Sequence, residues 1–401
     1  MTHATTAQVS SSSANNWEPP TKASATELNE IHAEMRARCP IARGADPRTG
    51  TAVWTLFRRS DVMAAAQDNE TFSNGKRVRL SARRIPLESD PPEHTALRRL
   101  LQPFFAPKHL SQFEPVTQQL VDLSVGAFIK AGGGDFARMV ARRLPTQVVL
   151  ARIGQPVDDW VQIKQWSEDT VPRKFKNDAD EQLFAQSDRA LWNYSRMVVE
   201  KRKAQLLDSE NDILSAVLTA EIDGNKVDEE LVVGCVRLLV AAGHDSTTQA
   251  LGICVHYLAR RPELQERLRK EPTLIRAAIE EILRLESPVV AMPRIATRDT
   301  ELLGCPIHAG DKLMLNWSSA NHDQDGLADA ETFRLDRGVN AHLAFGHGIH
   351  SCLGAPLARQ ELRLTLERML ASSRNFHVDG LVEMMNMAHY GFERLPVRVE
   401  Q

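Results

Sequence analysis

The sequence lacks a long uninterrupted apolar run, a strong excess of charge of one sign, and a dense set of cysteines. Its most apolar long segment, residues 231–259, contains Arg237, His244 and Asp245. Because charged groups at the centre of a bilayer are costly, this segment is predicted to be a buried helix and not a membrane span. The net charge of −3 argues against a surface that binds nucleic acids.

The cysteines are few and scattered. Five of them, an odd number, are spread over positions 39 to 352 of a 401-residue chain. Secreted disulfide frameworks have dense cysteines in short chains, so a reducing cytoplasm is the expected compartment. Residues 1–16 are rich in Ala, Ser, Thr and Asn and lack a basic leader with an apolar stretch, which predicts a disordered tail without a signal peptide or membrane anchor.

The most specific pattern is the stretch 345–354, Phe-Gly-His-Gly-Ile-His-Ser-Cys-Leu-Gly. Glycine serves where backbone passes close to another group, so Gly346, Gly348 and Gly354 around Cys352 indicate a large planar partner. A thiolate is a strongly donating ligand for iron. For a lone cysteine, a structural role in the turn before a helix is more frequent, and the cysteine alone leaves that alternative open.

A helix is predicted directly after this cysteine. Residues 355–370 are rich in Ala, Leu, Arg and Glu, which favour helix. The N-terminus of that helix would point at Cys352. Its free backbone N–H groups and its dipole would then favour the thiolate over the thiol.

The middle of the segment 231–259 does not fit an apolar helix. The run Ala-Ala-Gly-His-Asp-Ser-Thr-Thr at 241–248 places an acid and three hydroxyls among apolar residues. Such local violations tend to mark functional sites. Hydroxyls can bond to the carbonyl four residues earlier, which bends a helix or opens a groove beside it. The alternative is a kinked helix whose polar residues face solvent.

Other local patterns predict elements around this helix. Residues 51–57 are typical of a strand, with Ser60 as the cap of a short following helix. Residues 301–316 predict two strands that turn at 309–310. Prolines and acids predict a further helix that starts within 90–94.

Two charged pairs lie at helical spacing. His94 and Arg98 are four residues apart, and Glu281 and Arg284 are three apart, so each pair shares a helix face. Alone, each pair is weak evidence. The first is equally typical of a solvated basic patch, and the second of a surface ion pair that contributes roughly a few tenths of a kcal/mol.

The order and spacing of these motifs resemble the cytochrome P450 family over nearly the whole chain after the tail. The resemblance implies a mainly α fold, a single large helical domain over 17–401 with small β-sheets. It implies haem b as the cofactor, with Cys352 as the ligand of the iron. It places four residues on the haem propionates: His94, Arg98, Arg294 and His350. It places three more around the haem: Ala242, Phe345 and Gly354.

The same resemblance assigns the proton relay. Asp245 and Ser246 would deliver protons to oxygen over the iron, and Thr247 would be able to share the task. Serine stands where the family usually has threonine. It keeps the hydroxyl but lacks the methyl that restricts χ1, which puts the coupling of electron use to product in question.

Further roles follow from the resemblance. Glu281 and Arg284 would form a buried pair that locks the haem-binding core, with Arg337 as a further member. A helix over 178–203 would cover the pocket as a movable lid. The arginine-rich loop 76–84 would meet a carboxylate on the substrate, or its charges would simply be solvated. The pocket suits a small or medium hydrophobic molecule and would be lined by Leu238, Ala242, Val289, Val290 and Phe392.

The implied activity is that of a monooxygenase that inserts one oxygen atom from O₂ by hydroxylation, epoxidation or oxidative dealkylation. The sequence has no G-x-G-x-x-G motif, so electrons are expected from separate proteins, in the family usually a ferredoxin with ferredoxin reductase. Arg359, with Arg99 and Lys108, is the expected docking surface. Two alternatives stay open: a peroxide-using enzyme of the same fold, which would not need the acid–alcohol pair, and a haem sensor without turnover.

Overall fold

The computed structural model describes residues 16–20, 23–46, 49–75, 83–170, 178–338, 341–385 and 389–401. The predicted tail therefore lies outside the described residues except at Asn16, and so does most of the arginine-rich loop. The regular structure is mainly helical with small sheets, as the sequence predicted.

The helices and strands alternate unevenly along the chain. The helices are α1 Ala25–Arg38, α2 Arg59–Gln67, α3 Glu93–Leu101, α4 Pro107–Lys130, α5 Leu144–Arg152, α6 Trp160–Asp169, α7 Asp178–Ala204, α8 Ile213–Thr219, α9 Glu229–Ala242, α10 Asp245–Ala259, α11 Pro262–Lys270, α12 Ile275–Leu285, α13 Trp317–Ala320 and α14 Ala355–Ala371. The strands are β1 Ile41–Ala45, β2 Ala52–Leu56, β3 Phe72–Ser73, β4 Gly133–Asp135, β5 Glu221–Ile222, β6 Asn225–Lys226, β7 Ala291–Ala296, β8 Thr300–Leu302, β9 Cys305–Ile307, β10 Lys312–Asn316, β11 Asn375–Val378, β12 Glu383–Met384, β13 Phe392–Arg394 and β14 Pro396–Glu400.

The largest sheet places an arginine in the interior. Its strand order is β1-β2-β10-β7-β3, with β2 and β10 parallel and the other neighbours antiparallel. Arg294 of β7 pairs with Leu313 of β10, which pairs on its other side with Trp54 of β2. Arg294 is only 3% exposed. Because side chains alternate across a sheet, its guanidinium projects into the protein from the buried face.

The helix α10 runs through the core. Nearly all of its residues are buried, and it packs against α5, α12 and α14. The prediction of a buried helix is confirmed for this part of the segment 231–259. Among the described helices, none is long and apolar enough to cross a bilayer.

The prediction of one continuous helix over 231–259 is wrong. The helix α9 ends at Ala242 and α10 begins at Asp245, with Gly243 and His244 in a turn between them. The His244 Nδ1 donates to the carbonyl oxygen of Val240 at 2.5 Å. In an unbroken helix that carbonyl would accept the backbone N–H of residue 244. The hydrogen bond to the Val240 carbonyl at the break is therefore made by a histidine ring and not by a hydroxyl.

The predicted cap of α2 is also wrong. The helix begins at Arg59, one residue before Ser60, and no neighbouring side chain caps it. The backbone N–H of Arg59 donates instead to Asp323 Oδ2 at 2.7 Å. A carboxylate that is distant in sequence therefore satisfies this helix start, which local sequence does not reveal.

Residues 301–316 hold three strands and not two. The strands β8 and β9 form a hairpin that turns at Leu303 and Gly304, both of which have positive φ. Consecutive positive φ values are typical of the tight turns that match the twist of a two-residue hairpin. Gly310 lies at the predicted turn and precedes β10. The strand β10 is not part of this hairpin but pairs with β2 in the large sheet.

Candidate active site

Cys352 lies between a short turn, Gly348–His350, and the start of α14. Its backbone N–H donates to the Phe345 carbonyl oxygen at 2.8 Å, which closes the loop. Gly348 has a φ of +73°, and a Cβ there would lie 2.4 Å from the Ala66 carbonyl oxygen, so only glycine lets the loop pack on α2. The thiol is solvent-accessible although it lies in the interior, so it faces a space inside the fold.

The environment of the thiol changes its pKa in two opposing ways. Burial raises the pKa of Cys352 and is the largest influence. The backbone N–H groups of Gly354 and Ala355, and the charges of Arg98 and Arg359, lower it. The start of α14 therefore acts in the predicted direction, but burial outweighs it, and the net effect on the free thiol is a raised pKa.

Two imidazoles and a guanidinium lie beside this thiol. The rings of His94 and His350 are 4.3 Å apart between centroids. His94 is buried, and among the described residues neither of its ring nitrogens has a hydrogen-bond partner. Arg98, one turn further along α3, is close enough to Cys352 to affect its pKa, and within the described part of the chain its side chain has no ion pair. Buried donors without acceptors are costly, so these groups indicate a polar ligand.

Arg294 completes the set from the opposite side. Its guanidinium donates to Asn74 Oδ1 at 3.3 Å, and burial lowers its pKa to about 10, opposed by the charge of Asp90. Asp90 also joins the two sides, because it accepts the Asn74 backbone N–H at 3.0 Å through Oδ1 and the His94 backbone N–H at 3.0 Å through its carbonyl. A thiol near His94 and Arg98, which are linked through Asp90 and Asn74 to Arg294, fits a haem, whose iron takes a thiolate and whose propionates take the donors.

The helices α9 and α10 present an accessible stripe where they meet, whereas residues 232–237 before it and 247–255 after it are buried. Leu238, Asp245 and Ser246 are partly exposed, and Ala242 is exposed. Leu238 and Ala242 are four residues apart on α9 and share a face of that helix, and Asp245 and Ser246 are the first residues of α10. The partly exposed Val289 and Val290 lie after α12. The structure thus places the predicted acid, its neighbouring hydroxyl and four of the predicted pocket residues at accessible positions.

Two predicted residues lie away from this stripe. Thr247 is 6% exposed and belongs to the buried side of α10. Phe392 is buried in the core, its ring 4.6 Å from that of His256. A Cβ at Gly252 would be 3.2 Å from the Phe392 ring, so the ring packs against the later turns of α10. The functional roles of both residues stay predictions.

The Asp245 carboxylate has two partners that sequence reasoning missed. Lys164 of α6 approaches Oδ1 with its Nζ at 3.2 Å and is only 3% exposed. His389, from the segment before β13, has its Nδ1 3.4 Å from Oδ2. The local sequence places Ser167 and Glu168 on the same side of α6 as Lys164, so it gave no signal for a buried lysine. His389 carried no signal.

Glu281 and Arg284 form a buried pair, and both side chains are 0% exposed. Arg284 donates to the carboxylate from Nε at 2.9 Å and from Nη2 at 2.7 Å. Arg337 donates to both carboxylate oxygens from Nε, at 3.0 and 3.1 Å. Arg284 also donates to the carbonyl oxygen of Asn321 at 2.9 Å. The network ties α12 to the chain that leads to the Cys352 loop.

A second carboxylate network next to it was not predicted. Glu280 accepts two hydrogen bonds of 2.7 Å from Arg359 and one of 3.0 Å from His342. The Arg359 guanidinium also lies 4.4 Å from the centroid of the Phe345 ring. Arg359 was expected only as part of a docking surface. In the structure it stiffens the loop whose carbonyl accepts the Cys352 N–H.

Comparisons with known proteins agree with this geometry. The family model described as Cytochrome P450 matches residues 162–387. The chain is 35% identical over 373 residues to erythromycin C-12 hydroxylase from Saccharopolyspora erythraea, with 90% of this chain and 91% of the relative covered. It is 32% identical over 380 residues to steroid C26-monooxygenase from Mycobacterium tuberculosis, with 92% and 93% covered.

Solved structures show the same likeness in three dimensions. The structure of CYP109E1 from Bacillus megaterium in complex with testosterone has a TM-score of 0.84 at 28% identity, covering 93% of this chain and 98% of that chain. The ligand-free structure of cytochrome P450 TbtJ1 also has a TM-score of 0.84, at 32% identity, covering 96% and 100%.

The family model covers more than half of the chain, and the curated relatives match over nine-tenths of it. The protein is therefore a haem b monooxygenase, an oxidoreductase that acts on an organic substrate with O₂ and electrons from a redox partner. The fold, the cofactor and the reaction class expected from the sequence are confirmed. The chain belongs to the cytochrome P450 family.

Proposed function

We propose that this cytoplasmic enzyme, with residues 17–401 as one domain, oxygenates a small or medium hydrophobic molecule, and that a ferredoxin with its reductase supplies the electrons. The observation that carries the proposal is the accessible stripe of Leu238, Ala242, Asp245 and Ser246 where α9 and α10 meet. Apolar groups on it suit the substrate. The acid and the alcohol beside them suit proton delivery, which a sensor or a peroxide-using enzyme would not need.

The residues near Cys352 are assigned to haem binding. Cys352 would hold the iron, and His94, Arg98, Arg294 and His350 would hold the propionates, because guanidinium and imidazole match carboxylate oxygens. Ala242, Phe345 and Gly354 would line the haem; the small side chains of Ala242 and Gly354 leave room for it. When bound, the haem supplies the iron-centred activation of O₂.

The acid and the alcohol are assigned to the proton relay. Asp245 lies 3.2 Å from the Lys164 ammonium, and its side chain is 17% exposed, so its carboxylate can exchange a proton with the solvent side. The hydroxyl of Ser246 follows directly in sequence and both donates and accepts hydrogen bonds. A hydroxyl there can pass a proton toward the pocket while it takes another from the carboxyl. Thr247 is a second hydroxyl, but it would have to act from the buried side.

The substrate is assigned by the chemistry of the pocket wall. Leu238, Ala242, Val289 and Val290 are apolar and accessible, and Phe392 is the remaining aromatic candidate. Such a wall binds a ligand mainly through buried apolar area and sets orientation with few polar contacts. Relatives named for steroid and macrolide oxidation support hydrophobic molecules of that kind as first probes.

The docking of the electron donor is assigned to the surface near Cys352. Arg99 of α3 and Lys108 of α4 are exposed and are assigned to this surface. The Arg359 side chain is 42% exposed, although Glu280 holds its guanidinium. Exposed cations on this surface would attract an acidic ferredoxin, and such steering weakens as salt is added.

Carbon monoxide binding and oxygen-dependent turnover test the proposal together. The reduced carbonyl complex should show the red-shifted Soret band that thiolate donation produces, and Cys352→His should abolish it while Cys305→Ser keeps it. With NADH, a surrogate ferredoxin pair and O₂, a probe such as testosterone should yield an oxygenated product. Product formed only with added peroxide would favour the peroxide-using enzyme, and haem binding without product from any ligand that shifts the spin state would favour the sensor.

A further inference from the structure

Asp245 is held between elements that lie far apart in sequence. Its Oδ1 is 3.2 Å from the Lys164 Nζ on α6, and its Oδ2 is 3.4 Å from the His389 Nδ1 in the segment between β12 and β13. Asp245 is also the first residue of α10, where free backbone N–H groups favour a negative charge. One carboxylate thus joins three parts of the fold at the end of the accessible stripe.

We infer that His389 is a positioning residue for Asp245, which sets the direction of the carboxylate toward Ser246. The inference rests on the proposed relay role of Asp245 and adds a residue to it. An aspartate carboxylate rotates freely about χ2 unless both oxygens are held. Of these two contacts, the one with Lys164 would by itself let both oxygens turn toward the ammonium. The His389 Nδ1 lies 3.4 Å from Oδ2, a polar contact at ion-pair distance and not a hydrogen bond, and it favours a carboxylate plane between the two partners.

The backbone around His389 is anchored to the pocket wall. His389 forms a β-bridge with Val289, and the backbone N–H of Tyr390 donates to the Pro288 carbonyl oxygen at 2.9 Å. The Tyr390 hydroxyl donates to Glu286 at 3.3 Å. Because Val289 is a predicted pocket residue, the imidazole links the position of the wall to the direction of the acid.

The two partners of Asp245 are anchored differently. Lys164 belongs to α6, which packs against α7, and its ammonium is also 3.7 Å from Glu168. Glu168 in turn pairs with Arg142. A displacement of α6 would carry Lys164 and Glu168 away together. His389 is bound to the segment after α12 and would stay, so it is the contact that does not depend on α6.

The exposure of the pair permits a clean test. The side chains of His389 and Asp245 are 23% and 17% exposed, so removal of the imidazole leaves a carboxylate that water and Lys164 can still solvate. Variants at 389 should therefore fold. His389→Asn keeps a donor near the position of Nδ1, and His389→Leu removes it at similar volume. His308, which lies 3.7 Å from Asp299 in an exposed pair, gives the matched control His308→Leu.

The first measurement detects the contact between His389 and Asp245 and needs no substrate. In the diamagnetic reduced carbonyl form, NMR of labelled histidines should give a pKa of His389 that is higher in the wild type than in Asp245→Asn by about half a unit, because an adjacent carboxylate favours imidazolium. The Lys164 ammonium and the neutral His244 next to it are present in both proteins. An unchanged His389 pKa would overturn the inference.

The second measurement tests whether loss of this contact changes the yield of product per NADH. With testosterone as the probe, His389→Leu should lower product per NADH by about threefold and release more peroxide, while His389→Asn and His308→Leu should match the wild type. In an Asp245→Asn background His389→Leu should add nothing. If Asp245→Asn uncouples the enzyme and His389→Leu does not, the inference fails alone. If Asp245→Asn has no effect, the proposed relay fails.

Discussion

Gly243 and Val149 are in direct contact at the break between α9 and α10. A Cβ at position 243 would lie 2.4 Å from the Val149 Cγ2 and 2.8 Å from the Leu239 carbonyl oxygen. Because Gly243 has no side chain, α5 can pack against the break. The glycine therefore serves helix packing.

This contact predicts that Gly243→Ala destabilises the protein by about 1–3 kcal/mol, because the added methyl overpacks a closed contact. Urea unfolding followed by circular dichroism measures the change. Gly126→Ala in α4 is the control, since a Cβ there has its nearest neighbour at 3.7 Å and should be neutral or stabilising. Adding Val149→Ala to Gly243→Ala should recover part of the loss. A Gly243→Ala protein as stable as the wild type would contradict the assignment.

The buried Glu281–Arg284 pair predicts a large cost when one partner loses its charge. Glu281→Gln leaves the fully buried guanidinium of Arg284 without its counter-charge, which should destabilise the protein by about 3–5 kcal/mol. Glu266→Gln removes the same charge from an exposed pair with Lys270 and should cost less than about 0.5 kcal/mol. Denaturant midpoints and haem content measure both. Equal midpoints for the two variants would contradict a structural role for the buried pair.

Features that are determined by a short stretch of consecutive residues could be predicted from the sequence. The Cys352 loop with its glycines, the start of α3 after two prolines and the length of α14 each depend on local backbone preferences. The Glu281–Arg284 spacing suggested a shared face, although its burial followed only from the family resemblance.

Features that depend on distant partners could not be predicted. The break after Ala242 depends on the approach of Val149, and the start of α2 depends on Asp323. Lys164 and His389 reach Asp245 from 81 residues before it and from the last part of the chain. In each case the deciding contact is tertiary, so local propensity carries no information about it.

Glu280 predicts a pH dependence of stability. Burial raises its pKa, but the hydrogen bonds and charges of Arg359 and His342 outweigh this and lower it from 4.5 to about 2. Because the pKa is lower in the folded state, the stabilisation is present in full above pH 4.5 and is lost as the pH falls toward 2.

The variant Glu280→Gln should therefore cost up to about 3 kcal/mol at neutral pH and progressively less as the pH falls below the ordinary glutamate value. Unfolding by urea at several pH values measures the difference from the wild type. Glu271→Gln, from an exposed pair with Arg267, should show no such convergence. A cost that is constant with pH would mean that the ion pair does not carry the effect.

Arg98 predicts a difference in haem retention between neighbouring arginines of α3. Arg98 lies near Cys352 without a protein counter-ion in the described part of the chain, whereas Arg99 is exposed. Loss of a charge-assisted hydrogen bond to a propionate should raise the haem dissociation rate of Arg98→Leu by about tenfold or more, and Arg99→Leu should leave it unchanged. Transfer of haem to apomyoglobin measures both rates. Equal rates would remove Arg98 from the haem-binding set.

The position of Ser246 predicts that its hydroxyl, and not that of Thr247, governs how many electrons go into product. Ser246 is partly exposed on the same face as Asp245, whereas Thr247 is buried. Ser246→Ala should therefore lower product per NADH by about tenfold and divert electrons to peroxide, because no hydroxyl remains beside the acid. Ser246→Thr should keep or raise the yield, since its methyl restricts χ1. Thr247→Val separates the two hydroxyls: a loss as large as that of Ser246→Ala would move the relay to Thr247, and an unchanged yield in Ser246→Ala would exclude Ser246 from it.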